Sequence, residues 1–177
     1  MQHRNIRSTL KSHTSDQHRK LDERIGEFYT VEDYACFVRQ THRFRGAAEA
    51  AMPTSSAWAV TPLLGLLADD LADLGEYPDA PPVFPAGDGD PAYWLGVAYV
   101  LEGSALGARL LVRRAAALGY TGTHGARHLV AQAADGARWR AFQAHLEAEP
   151  AVAQDALLTG AAATFDFALT IYATNEK

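Results

Sequence analysis

Along most of this chain apolar residues recur three and four positions apart, the period of an α-helix packed on one face. Leu10, Thr14, His18, Leu21 and Ile25 form such a stripe between Ser8 and about Ile25, with Lys11, Ser15, Arg19 and Asp22 on other faces. Thr30 before Val31-Glu32-Asp33 resembles a capping box, and Tyr34, Phe37, Val38, Thr41, Phe44, Ala48 and Ala51 hold the period to Met52-Pro53. Thr61-Pro62 opens a third helix with Leu63, Leu67, Leu71 and Leu74 inward, Asp69, Asp70 and Asp73 on its wet side and Gly75 as its stop. Pro78, Pro81, Pro82, Pro85 and Pro91 then mark an irregular connector. Beyond Gly119 the pattern predicts a short helix over His124 to Ala134, another from Asp135-Gly136 carrying Trp139, Phe142 and Leu146, and a last one from Pro150. That last helix turns Leu157 or Leu158, Ala161, Phe165, Leu169 and Tyr172 inward. No segment alternates like a strand, so the expectation is an all-α bundle of about seven helices in a single domain over residues 1–177.

The fourth helix departs from the ordinary pattern. Asp90-Pro91 supplies its N-cap and first-turn proline, and Tyr93 to Arg114 reads as one helix carrying three glycines. At 100° per residue Gly96, Gly103 and Gly107 fall within about 40° of one another, with Ser104 and Ala108 beside Gly107. Each glycine costs about 1 kcal/mol against alanine, so a strip bare of side chains implies a close approach by something. Two readings stand: a neighbouring helix packed tightly, or a flat ligand lying on the strip. His18, centred on the inward stripe of the first helix, likewise reads either as a core histidine with one hydrogen bond or as a neutral imidazole offered to a metal.

Composition narrows the function classes. A net charge of −5, with no basic strip interleaved with aromatics, argues against a dedicated nucleic-acid binder. Cys36 is the only cysteine, which excludes an internal disulfide or a cysteine metal cluster and fits a reducing compartment. The N-terminus carries no apolar signal run, and Glu102 and Arg109 would be costly in lipid, so the expectation is a cytoplasmic chain with a buried fourth helix and no membrane partner. His124 and His128 could reach one metal, but no acidic residue completes a set, and they read as surface histidines. Arg138 and Arg140 are placed to form salt bridges or to hold an anion.

His18 and the glycine strip complement each other if the first and fourth helices face one another across a slot. With these residues the sequence resembles the haem oxygenase family. Leu10-Lys11-x-x-Thr14-x-x-x-His18 is similar to that family's proximal helix, and Tyr99-Val100-Leu101-Glu102-Gly103-Ser104-x-Leu106-Gly107 to the distal helix of its bacterial branch associated with bacteriophytochromes. Arg140, Leu146-Glu147-x-x-Pro150-Ala151-Val152 and Phe165 extend the resemblance over most of the chain.

The resemblance implies that haem is both cofactor and substrate, opened to biliverdin with release of carbon monoxide and iron. His18 would ligate the iron, Lys11 and Arg140 would pair with the propionates, and Gly103 and Gly107 would let the distal helix lie close over the ring. Phe165 would pack on the macrocycle edge, and Thr14 belongs to the same cofactor-facing set. Many relatives have aspartate where this chain has Ser104, whose hydroxyl can still order water, and a second glycine where it has Ala108, whose methyl would tighten the distal pocket. Electrons would come from an external reductase or ferredoxin, since no flavin or nicotinamide motif is present, and a bacteriophytochrome would receive the biliverdin. A non-catalytic haem carrier or sensor on the same fold is the competing expectation. A helical di-iron oxidase would need inward Glu and His residues, including a Glu-x-x-His pair, that are not found.

Overall fold

The computed structural model describes residues 6–87, 89–148 and 153–173, and among these there are eight helices. They are α1 (Ile6–Ile25), α2 (Val31–Ala51), α3 (Leu64–Asp73), α4 (Pro91–Gly103), α5 (Ala105–Ala117), α6 (Arg127–Ala134), α7 (Gly136–Ala148) and α8 (Gln154–Tyr172). Isolated bridges from Thr121 to His124 and Gly125 are the only β-pairings among the described residues. Pro150, Ala151 and Val152, where a helix start and part of a family motif were expected, lie outside the described residues.

The local signals act as the sequence predicts. The Thr30 side chain accepts from the Asp33 N–H at 3.1 Å, and the Asp33 carboxylate accepts from the Thr30 N–H at 2.9 Å, closing the capping box of α2. Asp90 caps α4 through the Ala92 N–H, with Pro91 in its first turn. Gly75 ends the third helix at a φ of 72°, a backbone region that a side chain would strain.

Helix α8 is the axis of the bundle, because both α1 and α4 pack along it. Its inward residues Leu157, Ala161, Phe165 and Tyr172 are buried as the periodicity requires, and Leu169 is half-buried. The α4–α8 crossing settles part of the glycine question. A Cβ on Gly96 would lie 2.1 Å from the Leu157 carbonyl oxygen, and one on Gly160 would lie 2.0 Å from the Tyr93 carbonyl oxygen. Gly96 is therefore bare because another helix occupies the space, and it does not belong to a ligand-facing strip. The apolarity that makes the Pro91–Ala117 run long and greasy enough for a membrane span serves, over α4, the burial of Leu95, Val97, Ala98 and Leu101 in the bundle.

Other expectations are corrected. The run from Tyr93 to Arg114 is divided at Ser104 into α4 and α5, with Ser104 keeping helical φ and ψ of −59° and −22° and the Ala108 N–H still reaching its carbonyl. Asp70 is not on a wet side and His128 is not a surface histidine; both are fully buried, and His128 Nδ1 meets Asp70 Oδ2 at 2.7 Å. Asp70 also accepts from the Arg127 and His128 N–H groups at 2.9 and 3.0 Å, so α3 caps α6 from across the bundle. Burial holds the His128 imidazole below its ordinary value. Burial alone would raise the Asp70 carboxyl, but the hydrogen bonds from His128 and Arg127 outweigh it and hold it low.

Candidate functional site

Helix α1 touches the rest of the bundle on one side and braces itself on the other. Asp16 pairs with Arg19 at 2.6 Å and Lys20 at 2.7 Å, Arg19 with Glu23 at 2.7 Å, and His18 Nδ1 with Asp22 Oδ2 at 3.0 Å. The stripe that the sequence predicts to be inward is buried at Leu10 and Thr14, half-buried at Leu21 and Ile25, and open at His18, whose side chain is 62% exposed. His18 is thus neither a core histidine nor a free one. Its ring stands 5.8 Å from that of buried Phe165 on α8, tilted by 59°. An Nδ1 held by the Asp22 carboxylate fixes the tautomer and leaves Nε2 as the free donor atom, the arrangement by which a second residue orients a metal-binding histidine.

Neither α4 nor α5 packs broadly on α1; the link between them is a pair of joins. The Thr14 and Tyr99 side chains interact across α1 and α4. Arg114 on α5 donates to the Gly26 carbonyl and pairs with Glu27 just beyond the end of α1. Thr14 to Gly26 covers about 18 Å of helical rise, whereas Tyr99 to Arg114 covers about 22 Å. The α4–α5 junction at Ser104 lies between the two joins. Within that span the exposed residues include His18 on α1, and Leu106, Gly107 and Leu110 on α5, where the two leucines are 63% and 44% exposed. A Cβ on Gly107 would meet nothing, while one on Gly103 would rest 3.5 Å from the Trp139 ring of α7. The three glycines therefore separate into a helix crossing, a contact with Trp139 and an open position.

The remaining candidates divide similarly. Lys11 and Arg140 are both exposed, on α1 and α7, two helices that are tied by Arg7 and Glu147 at 3.1 Å. Thr14 is buried and donates to the Leu10 carbonyl at 2.9 Å. Ala108 is buried in the main core. The Ser104 hydroxyl donates to the Leu101 carbonyl at 2.6 Å and accepts from Gln132 Nε2 at 2.8 Å, leaving a single acceptor site.

A basic, oriented nitrogen and an uncovered apolar wall interrupted by a glycine are what a planar, metal-bearing ligand requires. Two comparisons bear on this geometry. The chain is 32% identical over 143 residues to a heme oxygenase of Xanthomonas campestris pv. campestris, covering 76% of this chain and 86% of that one. The chain belongs to the haem oxygenase family. Its fold superposes with a TM-score of 0.72 on the heme oxygenase of Neisseria meningitidis, solved in NO- and CO-bound forms, at 29% identity over 96% of this chain and 90% of that one. No family model matches the chain. For a haem oxygenase the roles missed in the sequence are those of Asp22, Trp139 and Glu102. Asp22 carries a legible signal, a carboxylate four residues after His18 on the same helix face. Trp139 and Glu102 are legible on the seventh helix and in the distal motif, but their partners Gly103 and Arg138 lie on another helix, which periodicity does not pair.

Proposed function

We propose that this chain degrades haem by oxygen-dependent opening of the macrocycle to biliverdin, carbon monoxide and iron, with the ring held between α1 and the α4–α5 segment. The observation that supports this reading most is His18, exposed and anchored through Nδ1 by Asp22, on a wall whose counterpart leaves Leu106, Gly107 and Leu110 uncovered. Haem, when bound, supplies the iron at which oxygen is reduced. His18 Nε2 would hold the iron, with Asp22 orienting its ring through Nδ1. Gly107 admits the ring close to the distal backbone, Gly103 does so beside Trp139, and Phe165 supports the ring from α8. Lys11 and Arg140 hold the propionates through charge-assisted bonds. The free acceptor site on Ser104 receives a water that carries protons inward. Electrons come from a separate reductase or ferredoxin, the chain works in the cytoplasm, and the biliverdin serves a bacteriophytochrome.

The test is to add haem to the protein, record the spectrum, then supply reductant and oxygen. Loss of the haem bands with growth of the broad red biliverdin band supports the enzyme, and His18→Ala abolishes the histidine-ligated spectrum. Persistence of the haem bands under reductant and oxygen identifies a carrier. An unchanged spectrum in His18→Ala refutes the ligand assignment.

A further inference from the structure

The division at Ser104 is set in a buried polar framework. Glu102, only 5% exposed, sits one residue before Gly103. Its carboxylate accepts from Arg138 Nε at 2.9 Å through Oε2 and from Arg138 Nη2 at 3.0 Å through Oε1, a forked pairing. The same group accepts from the Thr61 N–H at 2.8 Å, the Thr61 hydroxyl and Trp58 Nε1 at 3.3 Å. Arg138 lies 5.2 Å over the Trp58 ring and also donates to the Ala59 carbonyl. A residue earlier, the Leu101 carbonyl accepts from Arg45 Nη1 at 3.3 Å, and Arg45 is itself anchored on Glu49 at 2.8 Å.

Two adjacencies give this framework a meaning beyond stability. Glu102 is next in sequence to Gly103, and Arg138 is next to Trp139, the ring that rests against Gly103. One forked bond thus ties together the two backbone positions that flank the Gly103–Trp139 contact. Buried ion pairs contribute little net stability compared with apolar residues of similar volume, but a forked guanidinium–carboxylate pair fixes both distance and orientation. A hydrophobic pair would hold α4 to α7 as firmly while letting them slide.

We infer that Glu102 and Arg138 are positioning residues: together they set how far the distal wall and the Trp139 ring stand from the bound macrocycle, and so which bridging carbon is exposed to oxygen. This rests on the haem oxygenase reading, and wild-type haem binding and turnover test that reading separately. The variants are Arg138→Lys, which keeps the charge and loses the fork, Glu102→Gln, and the double variant. Each is assayed for thermal stability without haem, for haem affinity, and for the distribution of biliverdin isomers. The expectation for Arg138→Lys is folded protein, haem bound roughly tenfold more weakly and a mixture of isomers where wild type gives a narrower one. The double variant is expected to lose no more than the worse single variant, as coupled partners do. If Arg138→Lys lowers only the melting temperature, with affinity and isomer distribution as in wild type, the pair is merely structural and the inference is overturned. Additive losses in the double variant overturn it as well. Should Glu102→Gln fail to fold, Arg138→Lys alone decides. If wild type binds haem without turnover, affinity and the ferric-haem spectrum decide.

Discussion

Gly96→Ala and Gly107→Ala put the same methyl group at two points of one apolar run, and the structure assigns them opposite outcomes. At Gly96 the new Cβ lies 2.7 Å from the Ala161 nitrogen and only 2.1 Å from the Leu157 carbonyl oxygen, the latter more than an ångström short of ordinary contact at 3.4 Å. The obstacles are backbone atoms of α8, so no rotamer change relieves them, and α4 must withdraw from the helix it packs on most. Overpacking of this kind costs about 1–3 kcal/mol, and a rigid obstacle places it at the upper end. Alanine in place of a helical glycine returns about 1 kcal/mol, leaving a net loss of roughly 2 kcal/mol. For a chain of this size that is a melting temperature lower by about 4–8 °C. At Gly107 the Cβ meets nothing, so the helical gain stands alone and the haem-free protein melts about 1–4 °C higher. The same methyl then intrudes on the proposed ring plane and weakens haem binding by roughly tenfold. Thermal denaturation of haem-free protein and a haem titration measure both halves. A destabilised Gly107→Ala protein, or a neutral Gly96→Ala, would refute the division of the glycines. Undiminished haem affinity in Gly107→Ala would remove that residue from the ligand surface.

Three further outcomes follow from the packing. Asp70→Asn replaces one accepting oxygen with a donor facing the Arg127 and His128 N–H groups, and is expected to cost about 3 kcal/mol in denaturant unfolding, because the buried donors lose their partner. Because His128 titrates below 6.5 when folded, the unfolded chain takes up that proton first; wild-type stability therefore declines as pH drops below 6.5, and the Asp70 contribution is lost below 3.8 as pH falls through its depressed folded value. Unfolding curves at successive pH values check this, a flat profile between pH 6.5 and 3.8 being the contrary result. Thr30→Ala opens the capping box of α2 and is expected to cost about 1 kcal/mol with no change in haem affinity, read by the same unfolding assay and a haem titration.

What the sequence disclosed and what it withheld follow from how local each signal is. Capping at Thr30 and Asp90 and the period of the inward stripes are settled by near neighbours, and each is found where it was expected. His18 was legible as an oddity on an inward stripe, yet its exposure depends on how far α5 stands from α1, which no single helix encodes. Asp70 falls within Asp69-Asp70-x-x-Asp73 and looks solvated; only the start of α6, 57 residues later, makes it a buried cap. The division at Ser104 escaped because the apolar pattern continues through it. Gly96 and Gly107 are the same residue in the same pattern, separated only by what lies opposite.

The charged ladder along the outer side of α1 has a bearing on how this molecule meets its ligand. Asp16, Arg19, Lys20 and Glu23 couple at separations of three and four, each pair adding a few tenths of a kcal/mol to a helix that elsewhere would lean on a neighbour. A wall that supports itself needs no guest to take shape. Association then carries little ordering entropy, and the circular-dichroism helix signal is expected to stay constant across a haem titration while the absorbance develops fully. Helix gained on loading would instead mean that the proximal side is moulded by what it receives.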